Sequence, residues 1–298
     1  MAHLDPVIQT FHSPWDAYSL VDSGNRKRLE RFGDYLLIRD DPRAWWQPDL
    51  PETEWKKADA RFLESKDEKG AWKFFRKPKA DAWKLDFDGI PFEARFTDMS
   101  KHVGVFPEHA VHWRWMRGKI ETFGRPFRLL NLFGYTGAAS LVGAAAGAHV
   151  THVDASPKVL AWGKSAQQQA GFADRPIRWI EDDALKFVKR EQRRGKFYDG
   201  ILLDPPKYGR GPKGEIWKVE QSLPELLEAC RAVLDPKASF LLLTMYSTED
   251  SACTVGNLLY DLFRERRGSI RLGELVLPHA HSPKQLAVSL CGIWETRT

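Results

Sequence analysis

The stretch LNLFGYTG, from Leu130 to Gly137, predicts the fold class of this chain. Its apolar first half is typical of a buried strand, and its glycines predict a turn that leads into a helix of small residues. Such a turn makes room for a nucleotide-like ligand at the carboxyl end of a parallel strand. Downstream, another apolar run ends in Asp204-Pro205-Pro206-Lys207. Together the two stretches predict one ligand cleft with a rigid, polar rim.

Strands and helices alternate beyond Pro126. The apolar runs predict strands at 127–132, 149–154, 177–180, 200–204, 238–244, 269–277 and 286–294, with helices at 138–146, 157–169, 184–190, 219–233 and 250–266. This alternation predicts a parallel, doubly wound α/β sheet of Rossmann-like type. Only residues 278–283 join the last two runs, which is too short for a crossover helix, so these strands should be antiparallel neighbours.

The chain before this region predicts a separate small domain that is rich in strands and tryptophan, over residues 1–105, followed by the ligand-binding domain over 106–298. Asp88-Gly89 separates two runs of alternating apolar residues, which is a strong hairpin signal. Further strands are predicted at 35–39 and 72–76 and a helix at 108–121. The tryptophans should pack in the core or between domains; a base-stacking surface that presents RNA is the alternative.

Composition limits the classes of protein that fit. The chain has 298 residues, of which 43% are hydrophobic, and a net charge of +5. No apolar run approaches the roughly 18 residues of a membrane span, and the start has no secretory signal, so a cytoplasmic location is expected. Three widely spaced cysteines argue against disulfides and a zinc site. His279 and His281 have no acid or cysteine at ligand spacing and predict a polar turn, so no metal site is expected.

The turn itself favours an adenosyl sulfonium over a dinucleotide. Gly134 and Gly137 allow close approach of the backbone to a ligand, and Thr136 supplies a hydroxyl. Dinucleotide enzymes seat a pyrophosphate on three glycines, whereas Phe133 and Tyr135 occupy two of those positions here. A plain strand–turn–helix without a ligand is the alternative.

Acids follow the next two predicted strands. Asp154 lies about 20 residues beyond the turn, the spacing of a ribose-binding acid. Ser156, which precedes Pro157, should cap the following helix and leave Asp154 for the ligand. Asp182 and Asp183 offer one acid to the adenine amine and one to a helix cap, and Asp183 is favoured for the ligand.

The segment from Asp204 to Tyr208 is the predicted reaction centre. Methyl transfer is an in-line displacement, so the protein mainly positions the acceptor. Asp204 and the Pro205 carbonyl could accept hydrogen bonds from an amine, with the prolines fixing their direction and Tyr208 stacking on a base. Alternatively, Pro205-Pro206 only ends the strand and begins a loop. The basic, glycine-rich residues 209–218 predict either a lid over a phosphate-bearing substrate or a surface loop.

With these motifs, the chain from about Phe96 onward resembles the adenosylmethionine-dependent ribosomal RNA methyltransferases related to the 23S rRNA cytosine-C5 enzymes. The resemblance implies a class I methyltransferase fold and S-adenosyl-L-methionine as cofactor. It extends the cofactor site to the segment from Lys101 to Phe106, before the first strand. The predicted cofactor contacts are Lys101, Phe106, Asn131, Phe133, Gly134, Tyr135, Thr136, Gly137, Asp154, Ala155, Ser156, Asp183, Ala184 and Asp204. The predicted catalytic residues are Asp204, Pro205, Pro206, Lys207 and Tyr208.

Two departures from that family change the expected chemistry. Its cytosine-C5 members need a cysteine nucleophile after the fifth strand, where this chain has Thr244-Met245-Tyr246-Ser247. The usual N-terminal RNA-binding module is not recognisable either. The sequence therefore predicts methylation of a base nitrogen of RNA, most simply ribosomal RNA. A methyltransferase for a protein or small molecule and a non-catalytic RNA-binding protein are the alternatives, and a nicotinamide oxidoreductase fits least.

Overall fold

Residues 1–64, 70–97, 100–246 and 250–296 are described here from a computed structural model of the protein. The chain divides into two compact units. We call Met1–Phe11, His112–Leu275 and Val288–Thr298 the large unit, and His12–Val111 with Val276–Ala287 the small unit. Among the described residues, no helix combines the length and the apolar character needed to cross a membrane.

The strands are β1 (Ala2–Phe11), β2 (Tyr18–Gly24), β3 (Lys27–Phe32), β4 (Tyr35–Asp40), β5 (Ala60–Leu63), β6 (Ala71–Phe74), β7 (Ala82–Phe87), β8 (Ile90–Arg95), β9 (Arg128–Leu132), β10 (His149–Asp154), β11 (Ile177–Glu181), β12 (Gly200–Leu203), β13 (Tyr208–Arg210), β14 (Ile216–Lys218), β15 (Phe240–Tyr246), β16 (Gly268–Pro278) and β17 (Gln285–Glu295). The helices are α1 (Glu52–Trp55), α2 (Ala110–Glu121), α3 (Ala138–Ala145), α4 (Pro157–Gln169), α5 (Ala184–Arg193), α6 (Val219–Val233) and α7 (Ala252–Phe263), and a 3-10 turn at Pro107–His109 precedes α2.

The large sheet has eight strands in the order β1-β16-β17-β15-β12-β9-β10-β11. Strands β15, β12, β9, β10 and β11 run parallel to one another, and β17 is antiparallel to β15. The first four residues of β15, from Phe240 to Leu243, are fully or nearly fully buried, as expected of a parallel strand that is covered on both faces. The predicted mostly parallel sheet that ends in an antiparallel hairpin is therefore confirmed.

Strand β1 was not predicted, and it changes the division of the chain. It pairs in parallel with β16, so the first residues belong to the large sheet rather than to the small unit. The tip of the β16–β17 hairpin belongs to the small unit instead, where the backbone N–H of Ala280 donates to Leu20. The compact units thus depart from the predicted boundary at residue 105 because both of these pairings join segments that are distant in sequence.

The small unit holds a five-stranded sheet in the order β2-β3-β4-β5-β6 and the two-stranded hairpin β7–β8. Asp88 and Gly89 both have positive φ, 50° and 84°, as a two-residue hairpin turn requires. Trp15 is 5% exposed and meets the rings of Phe87 and Phe92 edge-on, which is core packing. Trp45, in contrast, is 79% exposed.

Charged side chains also lie inside the small sheet. Glu30 is fully buried and accepts hydrogen bonds from Tyr18 at 2.8 Å and from two nitrogens of Arg39, each at 2.7 Å. Arg28 lies 3.1 Å from the same carboxylate. Burial alone would raise the pKa of Glu30, but the two arginines outweigh it and lower this pKa, so the carboxylate stays charged.

Candidate active site

The glycine turn follows β9 and has an unusual backbone. Phe133 and Tyr135 have positive φ, 56° and 51°, which residues other than glycine rarely adopt. Gly137 has φ 89° and is the N-cap residue of α3. A Cβ at Gly134 would lie 2.3 Å from Cε1 of His152, so only glycine fits this close approach. The turn therefore presents its backbone at the carboxyl edge of the sheet.

A buried polar network, which the sequence did not reveal, supports this turn from below. Asn131 donates to Oγ of Ser140 at 3.0 Å, and that oxygen lies 2.9 Å from Nδ1 of His152. Burial lowers the pKa of His152 to about 3, so the ring stays neutral at ordinary pH. Its side chain also contacts the ring of Trp179, with 4.4 Å between centroids. Asn131 thus lies beneath the turn and supports it, while Phe133, Gly134, Tyr135, Thr136 and Gly137 form the turn itself.

Asp154 ends β10 beside the turn and helps to shape it. Its Oδ2 accepts the backbone N–H of Tyr135 and its Oδ1 that of Ser156, both at 2.9 Å. Burial raises the pKa of this carboxyl group even though both backbone N–H groups favour the charged form. An ionised carboxylate has about four acceptor positions, so lone pairs remain for hydroxyl groups of a ligand.

The expected cap at Ser156 was wrong. Ser156 is at the N-cap position of α4, but its side chain makes no capping hydrogen bond, and its backbone N–H instead goes to Asp154. Ala155 lies between them. At the next strand end the cap of α5 is Asp183, the acid that the sequence analysis assigned to the ligand, because its Oδ1 accepts the backbone N–H of Lys186 at 2.9 Å. Ala184 is the first residue of that helix and is buried.

Asp204 follows β12 immediately and is held by a residue that the motif did not include. The hydroxyl of Thr244, on the neighbouring strand β15, donates to Oδ1 of Asp204 at 2.5 Å. Thr244 has no solvent exposure, so this donor has a fixed position. Pro205 is buried, whereas Pro206 and Lys207 are exposed.

The segment after Pro206 forms a hairpin rather than an irregular loop. Strands β13 and β14 pair antiparallel, and the indole of Trp217 donates to the Pro206 carbonyl at 2.7 Å. Tyr208 opens this hairpin and is 53% exposed, as a stacking residue needs to be. Trp217 also lies against Phe133, with 5.0 Å between ring centroids, which joins the hairpin to the glycine turn.

Strands β12, β9, β10 and β11 are consecutive neighbours, so the structure brings Asp204, the turn, Asp154 and Asp183 to one edge of the sheet. Lys101 and Phe106 belong to the small unit. There Lys101 pairs with Glu64 at 2.9 Å, and Phe106 contacts the ring of His102. Ser247 lies outside the described residues.

The sequence has no acid at ligand spacing from His279, but the fold brings two acids close to it. Nδ1 of His279 lies 3.7 Å from Asp22 and 3.6 Å from Asp49, residues distant in sequence. Both oxygens of Asp22 already accept protein donors: Ser23 and Asp49 on one, Leu50 and Trp55 on the other. The cluster therefore fastens the hairpin tip within the small unit.

Known structures share this architecture. A crystal structure of a SAM-dependent methyltransferase from Agrobacterium tumefaciens is 45% identical, covers 99% of this chain and 96% of its own, and superposes with a TM-score of 0.95. The chain belongs to the SAM-dependent methyltransferases. A methyltransferase structure from Streptococcus mutans, 15% identical with a TM-score of 0.70 over 95% of this chain and 76% of its own, shares the fold. No protein-family profile matches the chain.

Several curated relatives carry the name Ribosomal RNA large subunit methyltransferase K/L. The protein from Pseudoalteromonas translucida is 31% identical over 141 residues, which are 47% of this chain and 19% of that protein. The protein from Shewanella loihica is 28% identical over 241 residues, or 79% of this chain and 30% of that protein. The matched region therefore spans less than a third of these larger relatives.

The residues at the sheet edge fit the cofactor of this family, S-adenosyl-L-methionine. The turn has no space for a side chain at Gly134, so its backbone can approach the cofactor closely. Asp154 is a hydrogen-bond acceptor at the position where a ribose needs one. Phe133 and Tyr135 give the turn apolar side chains in place of the glycines that seat a pyrophosphate.

Proposed function

We propose that this protein transfers a methyl group from S-adenosyl-L-methionine to a base nitrogen of RNA. The proposed substrate is ribosomal RNA, and the proposed location is therefore the cytoplasm. The observation that carries the proposal is the pair of acids at two strand ends on either side of the glycine turn, Asp154 on β10 and Asp204 after β12. The names of the curated relatives support ribosomal RNA as substrate.

Each acid has a separate task. When bound, the cofactor supplies an electrophilic methyl group on a sulfonium. Asp154 would hold the ribose, Asp183 the adenine amine, and the turn the amino-acid end. Asp204, fixed by Thr244, would accept a hydrogen bond from the substrate amine together with the Pro205 carbonyl. This orients the nitrogen lone pair toward the methyl carbon, and the carboxylate can take the proton that the nitrogen loses.

The positions of the cysteines support nitrogen rather than carbon as acceptor. Carbon-5 methylation needs a thiolate that attacks the base. Cys291 lies opposite Thr244 on β17, but it has no exposed surface and its Sγ is 3.2 Å from Nε2 of buried His112. Burial raises the pKa of Cys230 and of Cys291, so neither is a ready thiolate. Cys253 lies in α7.

The test is mass spectrometry of ribosomal RNA nucleosides from cells with and without this protein. We expect one N-methylated nucleoside to disappear and to return with the wild-type gene but not with Asp204→Ala. The purified Asp204→Ala variant should bind the cofactor within about tenfold of wild type, because the main task proposed for Asp204 is to orient the acceptor. Unchanged nucleosides, together with methyl transfer to a protein or metabolite in extract, would exclude RNA as substrate.

A further inference from the structure

Two cavities lie on one face of the small sheet, on either side of α1. Cavity A has a volume of about 620 Å³ and cavity B about 560 Å³. Lys27 lines cavity A and Arg31 lines cavity B. They share a face of β3 with Leu29, which is buried beneath the α1 region, because every second strand residue points the same way. The two cavities are therefore halves of one surface.

The cavity linings concentrate positive charge in a unit that is otherwise neutral. The small unit as a whole has 19 basic and 19 acidic residues. Cavity A nevertheless has three basic residues and one acid, and cavity B five basic residues and three acids. The basic residues are Lys27, Lys56 and Arg61 in cavity A and Arg31, Lys57, Arg76, Lys77 and Lys79 in cavity B. Each cavity therefore attracts anions.

Several of these cations are available to a ligand. Among the described residues, no acid lies within ion-pair distance of Lys27, Arg31 or Lys77. Lys79 pairs with Asp34 at 3.8 Å, with both side chains more than 80% exposed. Exposed pairs of this kind contribute little in water and can be exchanged for a phosphate at small cost.

An exposed aromatic ring accompanies the charge on this face. Phe75 lines cavity A and is 49% exposed. Nζ of Lys73 lies 5.9 Å from the centroid of the Phe75 ring. Adjacent aromatic and basic side chains are the combination that binds single-stranded nucleic acid, through base stacking and phosphate contacts.

We propose that a single strand of RNA crosses this face, with a base on Phe75 and phosphates against the lysines and arginines of both cavities. The proposal rests on the proposed function in that it takes RNA as the substrate. It specifies a single strand because only unstacked bases can enter cavities of this size, whereas a duplex offers a continuous surface.

The charge test compares two triple variants of equal composition. Arg31→Gln, Lys77→Gln and Lys79→Gln remove three cations from cavity B. The control variant carries Arg193→Gln, Lys196→Gln and Lys237→Gln. These remove three exposed cations of the large unit, near the amino-terminal ends of its strands. The probe is a labelled oligouridylate of about 12 nucleotides, titrated at several salt concentrations. The cavity B triple variant should lose about 0.7 in the slope of log K against log salt for each phosphate contact removed, up to about 2 in all. The control should match wild type.

The stacking test uses single aromatic variants. Phe75→Ala should weaken binding by about 5- to 150-fold with little change in the salt slope. Phe197→Ala is the matched control, since Phe197 is 41% exposed in the large unit. Thermal unfolding and calorimetry with the cofactor should be unchanged in every variant, which separates loss of the surface from loss of the fold.

Equal affinity of wild type, the cavity B triple variant and Phe75→Ala for oligouridylate would overturn the surface assignment, as would preferential binding of an RNA duplex or of an acidic peptide. Failure of the proposed function looks different. In that case the cavity variants lose oligouridylate binding as expected, but no ribosomal nucleoside loses its methyl group when the protein is absent.

Discussion

Replacing Asp154 by Asn tests the cofactor site most directly, because it keeps the shape of the side chain and removes its charge. The carboxylate accepts the backbone N–H groups of Tyr135 and Ser156, one on each oxygen. An amide has one acceptor oxygen, so one of these N–H groups would face an NH₂ group, and the ribose would lose a charged acceptor. A hydrogen bond to a charged group is worth about 1.5–3 kcal/mol, so affinity for S-adenosylmethionine should fall about 10- to 150-fold.

The assay is isothermal calorimetry with S-adenosylmethionine and its demethylated product, with Asp174→Asn, at an exposed loop position, as the control.

The pH dependence of cofactor affinity gives a second measurement. Burial raises the pKa of Asp154, so the ligand-binding carboxylate is lost at a higher pH than for an ordinary aspartate. Wild-type affinity should therefore fall early on acidification, while that of Asp154→Asn should not. In the absence of ligand the sign reverses: this group favours folding at low pH, and its contribution is lost as pH rises through the raised pKa. Unchanged affinity in Asp154→Asn would refute the ribose assignment.

Four further predictions concern other parts of the molecule. Thr244→Val removes the hydrogen bond that fixes Asp204, so turnover should fall at least about tenfold with unchanged cofactor affinity in calorimetry, and Thr244→Ser should restore it. Gly137→Ala places a Cβ 2.5 Å from the Trp179 ring at φ 89°, so thermal unfolding should show a loss of about 1–3 kcal/mol. Changing all three cysteines to serine should preserve turnover in a methyl-transfer assay; inactivity of a folded variant would favour the carbon-5 mechanism. Glu30→Gln leaves buried arginines without their partner and should cost about 3–5 kcal/mol in denaturant unfolding.

The sequence predicted the elements whose signal is local. Strand β15 is a continuous apolar run because it is buried on both faces, and its predicted and observed bounds differ by two residues at each end. Strand β1 carries no such signal, since Pro6 interrupts it and its partner β16 lies more than 250 residues away. The β13–β14 hairpin was missed because a glycine-rich sequence indicates a loop unless its long-range contacts are known.

The same distinction applies inside the site. Asp154 and Asp204 could be predicted because a strand that ends in an acid is visible in the sequence. Thr244 and His152 could not, because a single polar residue in an apolar strand gives no sign of what it contacts. Strand register gives these residues their roles. Thr244 lies on β15, which pairs with β12, the strand that ends just before Asp204, and His152 lies directly opposite Asn131.

The strained turn links these two kinds of residue. Positive φ at Phe133 and Tyr135 costs roughly 1–3 kcal/mol at each residue, so the turn keeps its shape only if neighbouring contacts offset that cost. The Gly134 N–H donates to Val153, the Tyr135 N–H donates to Asp154, and His152 fills the space below. Asp154 therefore stabilises the backbone that faces the cofactor and also offers the acceptor for its sugar. Asp154, which the sequence predicts, therefore depends on the buried His152, which it does not predict. Both side chains contact the turn formed by residues 133–137.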